Sequence, residues 1–237
     1  MKRLLSNTAQ SRRGFSLIEM LVVVSIVVMI LALATPALTR TLQASRLSSA
    51  GESILGSISE AQQTAFTNNT PVDIRFFSFM EDLDDAPVFH SYQLFKITQT
   101  TQGSGGSATI KETITPVGNL IRLPEGVIIP VDSQLSFALS GSGTNLTDTK
   151  ENSQVGYSGV SGATYSAIRF MPDGTCRSVG STSNGLATLT LQSLQKNFFT
   201  LTFGSGSAVT LATLPKNFFT VQIDPYTGKA RSYKPGF

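Results

Sequence analysis

A single carboxylate, Glu19, stands inside the stretch "RRGFSLIEMLVVVSIVVMILALATPALTR", which begins at Arg12. From Met20 to Thr39 the next 20 residues carry no charge. A lone carboxylate at the centre of such a segment costs about 2.5–3.5 kcal/mol in a bilayer, less near the interface. An isolated buried ion is costly, whereas a paired one is tolerated. The chemistry open to Glu19 is therefore ion pairing with an ammonium.

The other reactive side chains form no recognisable set. His90 is the sole histidine. A triad in the order His, Asp, Ser can be drawn from His90 with Asp132 or Asp173 and any of many serines, but no G-x-S-x-G marks a nucleophile. The segment "GSGGSA" (103–108) fits a dinucleotide fingerprint by composition only, with no helix after it. Glu81, Asp82, Asp84 and Asp85 crowd one loop, and oxygen clusters can bind calcium. They lack the twelve-residue hand pattern and read as a solvated acidic loop. Cys176 is the one cysteine, which excludes an internal disulfide and a cysteine-based zinc site. No catalytic residue, cofactor site or metal site is expected, and the chain reads as a non-enzyme.

The elements that position Glu19 are legible. The uncharged run matches an apolar bilayer core of about 30 Å at a rise of about 1.5 Å per residue. Lys2, Arg3, Arg12 and Arg13 all precede Gly14, with no acid among them. Their charge keeps the N-terminus in the cytoplasm and sends the remainder across the membrane. The net charge of +3 belongs to this leader: without it 14 cations face 15 acids, a net −1. Nucleic-acid binding has no support in the remainder.

These N-terminal residues resemble the class III signal of type IV pilins and type II secretion pseudopilins. The matching residues are Gly14, Phe15, Glu19, the apolar run to Ala34, and Pro36. The motif places Glu four residues after Phe, and Pro 21 residues after it. The resemblance implies cleavage after Gly14 by a prepilin peptidase, N-methylation of Phe15, and assembly with other pilin or pseudopilin subunits. Glu19 then registers assembly, and Pro36 kinks a helix that continues beyond it. It also implies an inner-membrane, single-pass protein with its C-terminal domain in the periplasm. The alternative is a twin-arginine export signal, which "SRRGFSL" also resembles, with "ALA" at 32–34 as its cleavage site. That reading makes the chain an exported β-domain protein with a binding or hydrolytic role.

Between Arg40 and Phe66, Leu42, Leu47, Ile54, Ile58, Ala61 and Ala65 recur at mostly three, four or seven, an amphipathic helix. Phe15 to Phe66 is then one kinked helix of about 78 Å. Gly51 and Gly56 weaken it locally, and "TNNTP" at 67–71 ends it. Strands are expected at 72–79, 91–100, 125–131, 133–139, 165–171, 186–192, 197–203 and 217–223. The repeat "KNFFTLTF" (196–203) and "KNFFTVQI" (216–223) reads as two strands of one hairpin. Pro172 and Gly174 in "MPDGT", and Gly228 in "PYTGK", read as turn formers.

The fold class is α+β, a long kinked N-terminal helix packed on an antiparallel β-sheet domain. Its parts are a cleaved leader (1–14), a transmembrane part of the helix (15–39), an amphipathic part (40–68) and a β-rich globular domain (69–237). "AIRFMPDGTCRSVG" and "FFTVQIDPYTGKARSY" are similar to the last two hairpins of H-type and FimT-like minor pseudopilins. The ending "NFFTVQIDPYTGKARSYKPGF" is also similar to the D component of the Verru_Chthon cassette family. The stretches around 81–90 and 140–163 depart from a compact pseudopilin.

Overall fold

A computed structural model describes residues 15–79, 86–102, 109–140, 144–145, 164–183, 186–204 and 209–235, without the side chains of residues 33, 34, 36, 37, 102, 109, 144, 145, 182 and 183. The expected acidic loop at 81–85, the "GSGGSA" segment and most of 140–163 lie outside the described residues. The chain divides into two compact units, 1–42 and 43–237.

Helix α1 runs Leu17–Asn68 and is assigned without a break through Pro36. Its stop is chemically defined. Asn69 takes the left-handed conformation (φ 48°), Thr70 N–H donates to Ala65 C=O and Asn69 N–H donates to Phe66 C=O. This pair of reversed bonds satisfies the last carbonyls, and asparagine tolerates that φ better than most residues. In the second unit the expected helix face is buried at Leu47, Ile54, Ile58, Ala61 and Ala65, with Ala50 added. Leu42 departs from the expectation. It is 51% exposed and closes the first unit instead of joining the core.

Eleven described strands, all antiparallel, form two sheets. The larger contains β1 (Val72–Phe79), β2 (Val88–Gln102), β3 (Thr109–Arg122), β5 (Thr144–Asn145), β6 (Thr164–Phe170), β7 (Cys176–Ser183) and β8 (Leu186–Thr190). Its order is β3-β2-β1-β6-β7-β8, with β5 on β6. The smaller is ordered β11-β10-β9-β4, from β4 (Val127–Ile128), β9 (Phe198–Phe203), β10 (Phe218–Ile223) and β11 (Ala230–Tyr233). Strands β3 and β8, at opposite ends of the large sheet's path, touch each other, so the sheet is rolled nearly closed. Its inside holds Phe77, Phe79, Phe95, Ile97, Tyr165, Ala167 and Val179.

The outside of the roll carries the main core. Val72, Ile74 and Phe76 of β1 meet Ile54, Ile58, Ala61 and Ala65 of α1 and Phe199, Leu201, Phe219 and Val221 of the small sheet. The Phe76 and Phe199 rings lie 5.1 Å apart. Ser53 Oγ and Tyr92 Oη share a 2.9 Å hydrogen bond, which gives the buried phenol a partner on the helix.

The repeated strands are neighbours. Thr200 stands opposite Thr220, with their hydroxyls 3.0 Å apart, so the repeat pairs about its own centre. The connection spans residues 204–217, too long for a tight hairpin.

The expected strand at 133–139 is instead a turn followed by a 3-10 turn at Phe137–Leu139. Asp132 explains this: its Oδ1 accepts Gln134 N–H at 2.7 Å and its C=O accepts Ser136 N–H at 2.8 Å. A local side-chain-to-backbone bond competes with strand pairing and wins. Four strands were not anticipated. β3 contains Pro116 and Gly118, β5 is two polar residues, β7 is polar, and β11 is short and mostly exposed, so each lacks the apolar alternation of a half-buried strand.

Gly51 is a packing requirement more than a helix weakness. A Cβ there would overlap the Phe219 ring. Gly51→Ala is therefore expected to destabilise the globular unit by about 1–3 kcal/mol, despite alanine's better helix propensity. Chemical unfolding of the two proteins measures the difference, and a more stable variant would remove this packing role.

Candidate functional site

The N-terminal segment presents its apolar residues on every side. Phe15, Leu17, Ile18 and the apolar residues from Met20 to Leu31 are all exposed in the single chain, Leu17 at 84%. A helix that is apolar all round needs an apolar environment outside its own chain. Its hydroxyls are satisfied internally. Ser25 Oγ donates to Leu21 C=O and Thr35 Oγ1 to Leu31 C=O, each at 2.8 Å. Among the described residues no helix is long and apolar enough to cross a membrane.

Glu19 stands in the first turn of α1. Ser16 N–H donates to Glu19 Oε2 at 3.4 Å, and Glu19 N–H donates to Ser16 Oγ at 3.2 Å. This reciprocal pair is a capping box, which satisfies two of the amide donors that a helix start leaves open. It puts the carboxylate at the positive end of the helix dipole and turns it back toward Phe15. The pattern S-x-x-E at Ser16–Glu19 carries this signal, and sequence reading for the carboxylate's charge alone passed over Ser16. Phe15 is 72% exposed and precedes the helix. Gly14 lies outside the described residues. Pro36 is within the helix, and its side chain is not described.

A second polar cluster lies between the strands. Asp73 of β1 faces Arg169 of β6 in direct register. Arg169 Nε donates to Asp73 Oδ1 at 2.6 Å and Nη2 to Oδ2 at 3.1 Å. On its other side Nη1 and Nη2 donate to Glu112 Oε1 and Oε2 of β3 at 2.6 and 3.0 Å. Asp73 is fully buried and Arg169 nearly so. Burial by itself lowers the pKa of Arg169. Its bond to Glu112 and the charge of Asp73 outweigh that, and the pKa is held above the usual range. Arg75, 3.8 Å from Asp73, lies over the Phe95 and Tyr165 rings inside the roll. Two bidentate carboxylates on one guanidinium form a structural tie.

The remaining candidates are occupied by structure. Asp132 holds the turn described above. Asp173 Oδ1 accepts from Thr175 Oγ1 at 2.7 Å and Thr175 N–H at 2.9 Å, which lowers its pKa. The His90 ring lies 5.0 Å from the Phe79 ring, tilted by 44°. Neither of the two aspartates is offered to His90 as a triad partner. Among the described residues no three histidine, cysteine or acidic side chains could hold a metal ion. Burial pushes the Cys176 thiol up to about 11, although Asn197 Nδ2, 3.3 Å from the sulfur, acts the other way.

The two C-terminal turns dock on each other and on the helix. Gly174 and Gly228 both have positive φ, at 89° and 64°. Gln62 Nε2 donates to Thr227 C=O at 3.0 Å, and Cys176 N–H to Pro225 C=O at 2.9 Å. A Cβ on Gly228 would overlap Gln62 and crowd the Gly174 carbonyl. The turn glycines thus set how the hairpins meet α1.

Residues 10–35 match the family model of the prokaryotic N-terminal methylation motif. No curated protein matches the chain, and no solved structure does. The match covers residues 10–13, Gly14, Phe15, the capping box and the apolar run to Thr35.

Two outcomes follow from this geometry. Arg169→Ala leaves Asp73 buried with only the longer 3.8 Å contact to Arg75 and is expected to destabilise the domain by about 3–5 kcal/mol. Glu112→Gln at the rim should cost less, and equal losses in chemical unfolding would contradict this ordering. Cys176 should resist a thiol reagent at pH 8 in the folded chain and react on unfolding. Fast labelling of the native protein would show that the thiol is not held as described.

Proposed function

We propose that the chain is a prepilin-like, minor pseudopilin subunit of a type II secretion pseudopilus or a type IV pilus-like filament. The carrying observation is the methylation motif at 10–35 joined to a capping box that aims Glu19 at the future N-terminus. A prepilin peptidase cuts between Gly14 and Phe15, and Phe15 is N-methylated. Residues 15–39 form the membrane-spanning part of the helix, with a kink at Pro36, and the β-rich domain projects into the periplasm. The exposed, all-round apolar surface from Phe15 to Leu31 supports insertion, first in lipid and then among the helices of other subunits. The four leader cations support the orientation. The work of the protein is assembly and contact.

The capping box gives Glu19 two duties. In the single chain it satisfies the helix start, and in the filament its charge neutralises the Phe15 ammonium, its own or a neighbour's. These duties separate experimentally. Glu19→Gln keeps a side chain able to accept Ser16 N–H but carries no charge, whereas Glu19→Ala loses both. Both variants should be cleaved normally and fail to enter filaments. Normal incorporation of Glu19→Gln would leave only the cap and overturn the charge role. N-terminal mass spectrometry of the protein from native membranes tests the reading itself. A mature chain beginning at methylated Phe15 is expected. A start at Thr35 would mean export by a removable signal.

A further inference from the structure

The large sheet contains a lane that no strand fills among the described residues. β1 begins at Val72, opposite Lys96, while β2 continues to Gln102. Ile97 N–H donates to Pro71 C=O at 2.9 Å, the last such bond on that side among the described residues. Backbone groups of a strand alternate in direction with a period of two. The N–H and C=O of Gln99 and Thr101 therefore point where Ile97's do, into the line that β1 has left. On the opposite wall Met171 N–H is taken by Thr175 C=O at 2.8 Å, and Pro172 has no N–H. The lane lies between the neighbours of β1, so it is about 9–10 Å wide, two strand spacings. A groove of about 380 Å³ occupies it, with Ile97, Met171 and Pro172 as apolar walls and the Glu112–Arg169 pair as floor.

Free strand edges are usually blunted by lysine, proline or a bulge. The small sheet follows that rule, since its edge strand β11 carries Arg231 and is followed by Lys234 and Pro235. The segment of β2 facing the lane, Thr98–Gln102, carries no charge and no proline. Thr98 and Thr100 turn the other way, with Thr98 Oγ1 and Thr100 Oγ1 donating to carbonyls of β3.

We propose that this lane binds an extended polypeptide segment of a partner protein, which adds to β2 as the missing continuation of β1. Main-chain bonds to Gln99 and Thr101 supply the pairing, and alternate side chains meet the apolar walls and the carboxylate floor. The Glu112 oxygens at the rim favour a hydroxyl or amine donor on the residue above them. This inference is independent of filament membership, since it rests on the sheet alone.

The test is amide hydrogen exchange on the full chain in detergent, with a blocked hexapeptide of alternating threonine and valine and one lysine as probe. Exchange at Gln99 and Thr101 should slow by about twofold at the peptide's dissociation constant and about tenfold at ~10 times that, with Ser232 on the open edge of β11 unchanged. Thr101→Pro removes one lane-facing donor without touching the β3 side, and should abolish the protection. No protection up to about 10 mM peptide, a weaker affinity than short strand additions need, would overturn the proposal. So would equal protection of β11, which marks general edge adhesion, or Gln99 and Thr101 amides already protected without peptide.

Discussion

β1 is buried on both faces along its whole length, and the rest of the globular unit answers to that constraint. Its even residues face α1 and the small sheet, and its odd residues face the inside of the rolled sheet. A strand with two dry faces normally reads as an unbroken apolar run. This one places Asp73 and Arg75 on its inner face. An unpaired charge there would unfold the domain, so β6 must bring Arg169 to the register position opposite Asp73. Burial and ion pairing are one requirement at this site.

The roll of the sheet follows from the same residues. Glu112 belongs to β3, and β2 and β1 lie between β3 and β6 in sheet order. It reaches Arg169 only because the sheet curls and brings β3 and β8 together. The curl in turn encloses Phe77, Phe95 and Tyr165 with Arg75 stacked on two of those rings. The inner core and its ion cluster thus stabilise each other. Before β1 begins, the same curl leaves a lane one strand wide among the described residues, floored by that cluster.

The N-terminal segment obeys a different rule. Its described apolar side chains from Phe15 to Leu31 are exposed, whereas its polar groups are satisfied locally, by the capping box at Ser16 and Glu19 and by hydroxyls bonded one turn back. The globular unit takes its stability from long-range packing, and the segment keeps its own backbone satisfied wherever it is placed.

Local chemistry made much of this legible in the sequence. The helix face from Leu47 to Ala65, strand β1 to the residue, the turn glycines and the motif around Glu19 all follow from period, propensity and spacing within a few residues. The capping box was equally local, since Ser16 and Glu19 stand three apart. Long-range facts had no local signal. Arg169 is an unremarkable residue in "AIRFM" until Asp73, 96 positions earlier, is set opposite it. Gly51 counts against a helix until the Phe219 ring is laid over it. β3, β7 and β11 became strands through the edges they pair with, and Asp132 turned an apolar stretch away from one. The sequence by itself determined the helix, its anchor-like start and the α+β class, because those depend on neighbours in the chain. Only the tertiary structure decided which charges are buried together, how the sheet rolls and where a lane stays open, because those depend on contacts between residues far apart in the chain.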